Sequence, residues 1–243
     1  MKKRLFHAFA AGALLAVACG ALANEAQIRK ALEPKLGNVQ IEGVMPAPVQ
    51  GLWEVRLRTP QGIRVVYTDA TASHLIQGSI YEVRTDRDLT EERLRKLNAI
   101  KFEQLPLELA VKVQRGNGNR KLAMFSDPYC PACRQFEKSL QQIDDVTVYV
   151  FMYPVIRPEN ADHSRAVWCA ADRAKAWLEL AAAPRPKVPE AAPNCADPVD
   201  KVLKLGRSLG VNSTPTLVFA NGERVSGGLS PSDLRNMLER AAR

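Results

Sequence analysis

The chain has 243 residues, with 34 Lys and Arg against 26 Asp and Glu for a formal charge of +8, and 46% of its residues are hydrophobic. The positive charges are scattered, with no basic block and no interleaved aromatic stripe, which argues against a nucleic-acid partner. The length suffices for one large or two small domains and the hydrophobic fraction is ordinary for a chain that buries a core.

Residues 1–23 read as a secretory signal peptide. Lys2, Lys3 and Arg4 precede an apolar run from Leu5 to Ala18, and Ala21-Leu22-Ala23 offers a small-residue cleavage site. The run is too short and too rich in small residues for a membrane span. Cys19 lacks the leucine expected three residues before a lipidated cysteine, so it is expected to leave with the signal. The mature chain is expected to begin near Asn24 and to be exported. No later stretch reaches the roughly eighteen apolar residues of a membrane helix, so it is also expected to be soluble.

Residues 24–86 carry a helical start, Glu25 to Leu36, and then strand-like runs at Val39–Val44, Trp53–Thr59, Ile63–Thr68 and Leu75–Val83. Alternation puts Trp53, Val55 and Leu57 on one face of a half-buried sheet, with a turn at Gln61-Gly62. A domain this small is marginal alone. Ile63 to Tyr67 is a candidate edge strand, so pairing with another surface is expected. Residues 87–106 follow as a charged helix: Asp88 is a candidate N-cap with Glu91 three residues on, Leu94, Leu97 and Ile100 recur at helical spacing, and Pro106 stops it. It reads as a semi-rigid linker, or as a helix lying flat on either domain.

Residues 107–243 alternate strand and helix after a loop at Asn117-Gly118-Asn119. Leu122–Phe125 is a buried strand, Pro131–Ile143 a helix with Phe136, Leu140 and Ile143 inward, and Val146–Tyr153 an apolar strand. Together they make a βαβ unit with parallel pairing. A helical stretch from Ala161 to Leu180, a proline-rich loop from Pro184 to Pro193 and a helix from Pro198 to Leu209 form an insertion. Strands at Thr216–Phe219 and Arg224–Ser226 flank Asn221-Gly222, which suits a two-residue hairpin turn, and Ser230-Pro231-Ser232-Asp233 opens the last helix. The order βαβ, helices, ββα is that of a thioredoxin fold.

Chemistry concentrates in Ser126-Asp127-Pro128-Tyr129-Cys130-Pro131-Ala132-Cys133, at a strand-to-helix junction. Cys130 falls at the N-cap and Pro131 at the first helical position, where free N–H groups and the helix dipole stabilise an anion. A thiolate is the species that attacks a disulfide, so Cys130 reads as the accessible nucleophile. Cys133, one turn deeper, reads as the buried thiol that resolves the mixed disulfide. Loss of Cys19 leaves Cys130, Cys133, Cys169 and Cys195, and the spacing favours the pairs Cys130 with Cys133 and Cys169 with Cys195, the latter a structural disulfide. A stapling role for Cys130–Cys133 and a four-cysteine zinc site compete less well, since the second C-x-x-C of a zinc ribbon is missing. So does a cysteine hydrolase pairing Cys130 with His163, since no oxyanion motif accompanies it. No metal or other cofactor is expected, and His74 and His163, lacking ligand spacing, read as structural or surface residues. Pro215 marks either a strand start or a cis bond in a tight turn. Tyr129 is either a substrate-contacting surface or a packed ring.

These motifs resemble the DsbC family of disulfide isomerases, with DsbG its nearest relative. The likeness lies in Phe125 to Cys133, Ala166-Val167-Trp168-Cys169-Ala170, Pro193-Asn194-Cys195, and Leu209 to Thr216 with Asn221-Gly222. In the first domain it lies in Val66-Tyr67-Thr68-Asp69 and His74 to Tyr81. The resemblance implies an α+β chain: a thioredoxin fold with a helical insertion, preceded by a small cystatin-like dimerisation domain and a linker helix. It implies a periplasmic homodimer that rearranges wrong disulfides in misfolded exported proteins and is kept reduced by a DsbD-type membrane reductase. It also implies that Pro215 is a cis-proline facing the cysteines, with Thr214 beside it, both part of the catalytic site. Pro131-Ala132 stands where the family's best-known isomerase has glycine-tyrosine, and these two residues tune redox poise. Two alternatives use the same features: a DsbG-like reductase of cysteines oxidised to sulfenic acid, and a dimer acting mainly as a holdase chaperone.

Overall fold

The computed structural model describes residues 24–60, 62–182, 187–192 and 194–242. The expected signal peptide, Gln61 of the expected turn, and Pro184, Arg185, Pro186 and Pro193 of the proline-rich loop lie outside the described residues. Two compact units meet in sequence between Leu97 and Asn98.

In the first unit, helix α1 (residues 24–32) runs into a short 3-10 turn at Glu33–Lys35, where Pro34 withholds the N–H that another helical turn needs. A four-stranded antiparallel sheet follows in the order β1 (Gln40–Pro46), β2 (Leu52–Thr59), β3 (Gly62–Asp69), β4 (Leu75–Ile76). Ile28 and Leu32, four residues apart on α1, pack with Val44, Trp53, Val55, Leu57 and Val66, so the face predicted from alternation is the core face. β5 (Tyr81–Glu82) and β6 (Arg87–Asp88) form a small ribbon that leads into α2 (Leu89–Leu97).

The sheet is covered on its other face too, a difference from the half-buried sheet expected. Glu54, opposite Tyr67 in the β2–β3 ladder, is 5% exposed. Arg93 of α2 donates to it at 3.1 Å, and the Tyr67 hydroxyl shares a 2.5 Å hydrogen bond with Thr90. A buried carboxylate is tolerated because a guanidinium is paired with it. The helix expected over residues 87–106 is confined to Leu89–Leu97, and Ile100, Phe102 and Leu105 enter a core of the second unit instead.

The second unit has a five-stranded sheet in the order β11 (Arg224–Ser226), β10 (Thr216–Phe219), β8 (Arg120–Ser126), β9 (Val146–Met152), β7 (Val111–Arg115). Only β8 and β9 are parallel, joined by α3 (Pro131–Leu140), as the βαβ reading predicts. Alternate residues of β8 serve opposite cores. Leu122 and Met124 meet Phe136 and Leu140 of α3 and Leu234 and Leu238 of α7 (Pro231–Ala241); Ala123 and Phe125 meet Phe151, Val218 and Val202 of α6 (Val199–Ser208). Gly206 is needed on α6 because a Cβ there would lie 2.4 Å from the ring of Tyr153.

Three local differences have plain causes. β7 falls just before the Asn117-Gly118-Asn119 loop, in a part of residues 107–243 for which no strand is predicted, and it is held by antiparallel pairing to the distant β9. The helix expected from Ala161 to Leu180 is two, α4 (Ala161–Trp168) and α5 (Arg173–Ala182). Asp172 starts the second by accepting from Lys175 N, and Arg173 Nε caps the first through Trp168 O at 2.6 Å. In the β10–β11 hairpin only Gly222 has positive φ, at 85°, and its N–H donates to Phe219 O at 2.9 Å. The chain therefore turns at Ala220-Asn221 and enters the strand through a left-handed glycine, a longer loop than the two-residue turn expected.

Candidate active site

The site begins where β8 ends. Ser126 and Asp127 are fully buried, and Asp127 is followed by a proline, which keeps the chain out of helix until the turn is made. Asp127 Oδ1 accepts from Tyr129 N and Oδ2 from Ile156 N, both at 2.8 Å, while its carbonyl accepts from Cys130 N at 3.1 Å. One carboxylate thus fixes the turn that presents Cys130 and the strap that follows β9.

Cys130 is the N-cap of α3 in extended conformation, with Pro131 next, as the sequence predicts. Its Sγ accepts from Cys133 N at 3.4 Å and donates to the carbonyl of Thr214 at 3.2 Å. Thr214 and Pro215, 84 residues further on, are joined by a cis peptide bond and abut the cysteine. Cys130 and Cys133 stand as two thiols, the reduced partner of the bonded pair read from the spacing.

Both cysteines are buried residues. Cys130 is 4% exposed and Cys133 1%, so the accessible Cys130 expected from sequence is instead covered. The loop carrying Thr214 supplies part of that cover, while Pro131 and Ala132 are exposed above it. Burial pushes the Cys133 thiol up to about 12, against a smaller lowering by the neighbouring Ser126 hydroxyl. Cys133 therefore keeps its proton at neutral pH.

Tyr129 points across to α4, where its hydroxyl is hydrogen-bonded to His163 Nδ1 with the rings 5.5 Å apart. Arg134 donates through Nε to Pro128 O at 2.8 Å and holds its guanidinium 5.8 Å from the Tyr129 ring centre. Burial raises the Tyr129 hydroxyl above its ordinary range, so it keeps its proton.

Cys169 and Cys195 form a disulfide between the end of α4 and the segment before α6, with Cα atoms 5.7 Å apart. They are joined to each other rather than gathered with Cys130 and Cys133 as a zinc site would need. Among the described residues no group of three or more His, Cys, Asp or Glu converges on one point, and no helix is long and apolar enough to cross a membrane. His74 lies in the first unit with an exposed ring, and only His163 joins the cluster around Cys130.

Sequence reasoning missed Asp127, Arg134 and the pairing of His163. Asp127 carries a readable signal, an aspartate before a proline whose side chain can accept the N–H two residues on. The His163 contact spans 34 residues and leaves no local trace.

Residues 107–242 match the thioredoxin-like domain family, and residues 19–91 match the disulfide bond isomerase protein N-terminal domain. A probable thiol:disulfide interchange protein DsbC of Bordetella pertussis is 41% identical over 189 residues, covering 77% of this chain and 65% of that protein. The chain thus matches just under two thirds of that relative's length. The corresponding Bordetella avium protein is 38% identical over 216 residues, covering 88% of this chain and 74% of its own. The crystal structure of a disulfide interchange protein from Neisseria gonorrhoeae superposes with a TM-score of 0.54 at 38% identity, over 57% of this chain and 99% of that one.

Proposed function

Since this chain belongs to the DsbC family of thiol:disulfide interchange proteins, we propose that it reduces and rearranges incorrect disulfides in exported proteins through Cys130 and Cys133. The observation that carries the reading is the placement of Cys130 Sγ at the first turn of α3, between the N–H of Cys133 and the Thr214 carbonyl.

In this reading the Cys130 thiolate attacks one sulfur of a substrate disulfide. A Cys130–substrate bond forms and the other substrate sulfur leaves as a thiolate. Two exits follow. A substrate thiolate can attack the substrate sulfur of the mixed disulfide, giving a rearranged bond and restoring Cys130 with no net electron transfer. Alternatively Cys133 attacks Cys130 Sγ, its proton passes to the departing substrate thiolate, and two electrons reduce the substrate while Cys130–Cys133 becomes a disulfide. Burial of Cys133 makes the second exit slow to start, which favours rearrangement. Thr214 and Pro215 act as the surface along which the substrate chain lies next to Cys130.

The oxidised pair needs an external reductant, a DsbD-type membrane partner in this reading, and the setting is the periplasm, reached by the signal peptide in residues 1–23. Residues 24–86 serve as the dimerisation domain of a homodimer, residues 87–106 as the connector and residues 107–243 as the catalytic domain. Support for dimerisation comes from β3, whose ladder to β4 is confined to Tyr67 and Thr68 and leaves Arg64 to Val66 beyond it.

A scrambled disulfide-containing test protein incubated with the reduced chain should recover its native activity, and Cys130→Ser should fall to the uncatalysed rate. Equal recovery with Cys130→Ser would leave the protein a holdase.

A further inference from the structure

We infer that Tyr129 and His163 act as one clasp that holds the tyrosine ring as a fixed wall beside Cys130, making both positioning residues for the substrate chain. The inference rests on the thiol-disulfide exchange reading of Cys130 and assigns roles to residues outside the cysteines and the cis-proline loop.

The geometry ties the ring at three places. Its backbone N–H is held by the buried Asp127 carboxylate at 2.8 Å, its hydroxyl by His163 Nδ1 from α4, and its face lies near the Arg134 guanidinium at 5.8 Å. A tyrosine one residue before a nucleophile, at a partly exposed position, would otherwise sample several rotamers. Freezing it in advance removes an ordering cost that a substrate would meet on binding, which strengthens binding without touching the sulfur chemistry. The tyrosine hydroxyl and His163 Nδ1 share one hydrogen bond, and the imidazole tautomer sets which of them donates.

The charges acting on the ring point to what the wall favours. The Arg134 guanidinium lies 5.8 Å from the ring centre, and both oxygens of the Asp127 carboxylate are already occupied by backbone N–H groups. A disulfide whose cysteine is flanked by a carboxylate side chain therefore meets an aromatic wall with a guanidinium at its edge.

The test is steady-state kinetics on peptide disulfides differing only in Glu or Lys beside the cysteine, using the full-length protein with a small thiol in excess as the reductant that returns Cys130–Cys133 to two thiols after each turnover. Tyr129→Phe, which keeps the ring, and His163→Ala should each raise KM by about three- to tenfold, the worth of one hydrogen bond, with kcat within about twofold. The double variant should be no worse than either single one. His163→Asn, whose side-chain amide can donate or accept in place of Nδ1, should restore most of the affinity. The Glu peptide should bind better than the Lys peptide, and Arg134→Gln should narrow that difference. Unchanged KM in both single variants, additive effects in the double variant, or an asparagine no better than alanine would overturn the clasp; equal binding of the two peptides would overturn the charge preference. Failure of the unaltered chain to turn over either peptide would instead remove the exchange reading, and the clasp with it.

Discussion

At the scale of single residues, the two cysteines differ through their surroundings. Cys130 caps a helix and is held by one N–H and one carbonyl, while burial drives the neighbouring thiol up to about 12. Iodoacetamide at neutral pH should therefore label Cys130 first in the reduced protein, and Cys133 should react appreciably only in strong alkali; peptide mapping that found Cys133 labelled first would reverse the assignment. A second residue-scale prediction concerns Glu137, 2% exposed on α3, whose carboxyl burial raises despite the 2.8 Å hydrogen bond it receives from Trp177 Nε1 and the nearby Arg115. A carboxyl whose pKa is higher folded than unfolded binds more protons folded, so its contribution is present at low pH and declines as pH rises from the unfolded carboxylate range through the folded value. Glu137→Gln keeps an acceptor for Trp177 without the charge. Its denaturation midpoint relative to the unaltered chain should rise as pH increases above that range, whereas Glu137→Ala should cost about 1–3 kcal/mol by leaving the indole N–H unpaired.

Elements show how far local sequence reaches. α3 was legible because its start carries three concordant signals, the cap at Cys130, the proline at Pro131 and the apolar spacing of Phe136 and Leu140. β8 and β9 were legible as apolar runs, since a strand buried on both faces needs no alternation. The second buried face of the first sheet was not legible because Glu54 meets its partner Arg93 39 residues away on α2, and no local pattern records that pairing. The break between α4 and α5 was missed for the same kind of reason, as helical spacing runs straight across Cys169. That disulfide closes a separation of 26 residues, for which chain entropy gives about 3.5 kcal/mol. Replacing both Cys169 and Cys195 with serine should lower stability in urea by roughly that amount while leaving the Cys130–Cys133 titration in place. A loss below about 1 kcal/mol would mean that packing alone holds the segment.

Across the whole molecule, the division at Leu97 and Asn98 bears on where to cut. α2 belongs with the first sheet through Arg93–Glu54 and Thr90–Tyr67, and Ile100, Phe102 and Leu105 belong with the second core. A fragment of residues 98–243 should fold as a monomer that still reduces small disulfides but loses most isomerase activity, because two catalytic sites are no longer tethered near one misfolded chain. Sedimentation and a scrambled-substrate assay check both halves of that statement, and a dimeric fragment would place the interface elsewhere. The central claim, that Cys130 is the atom joined to substrate, is tested most directly by trapping. Cys133→Ser should accumulate a mixed disulfide with a scrambled test protein, and mass spectrometry of the nonreduced digest should find the substrate peptide on Cys130. A digest that showed no such adduct, or found it on Cys169 or Cys195, would contradict the account.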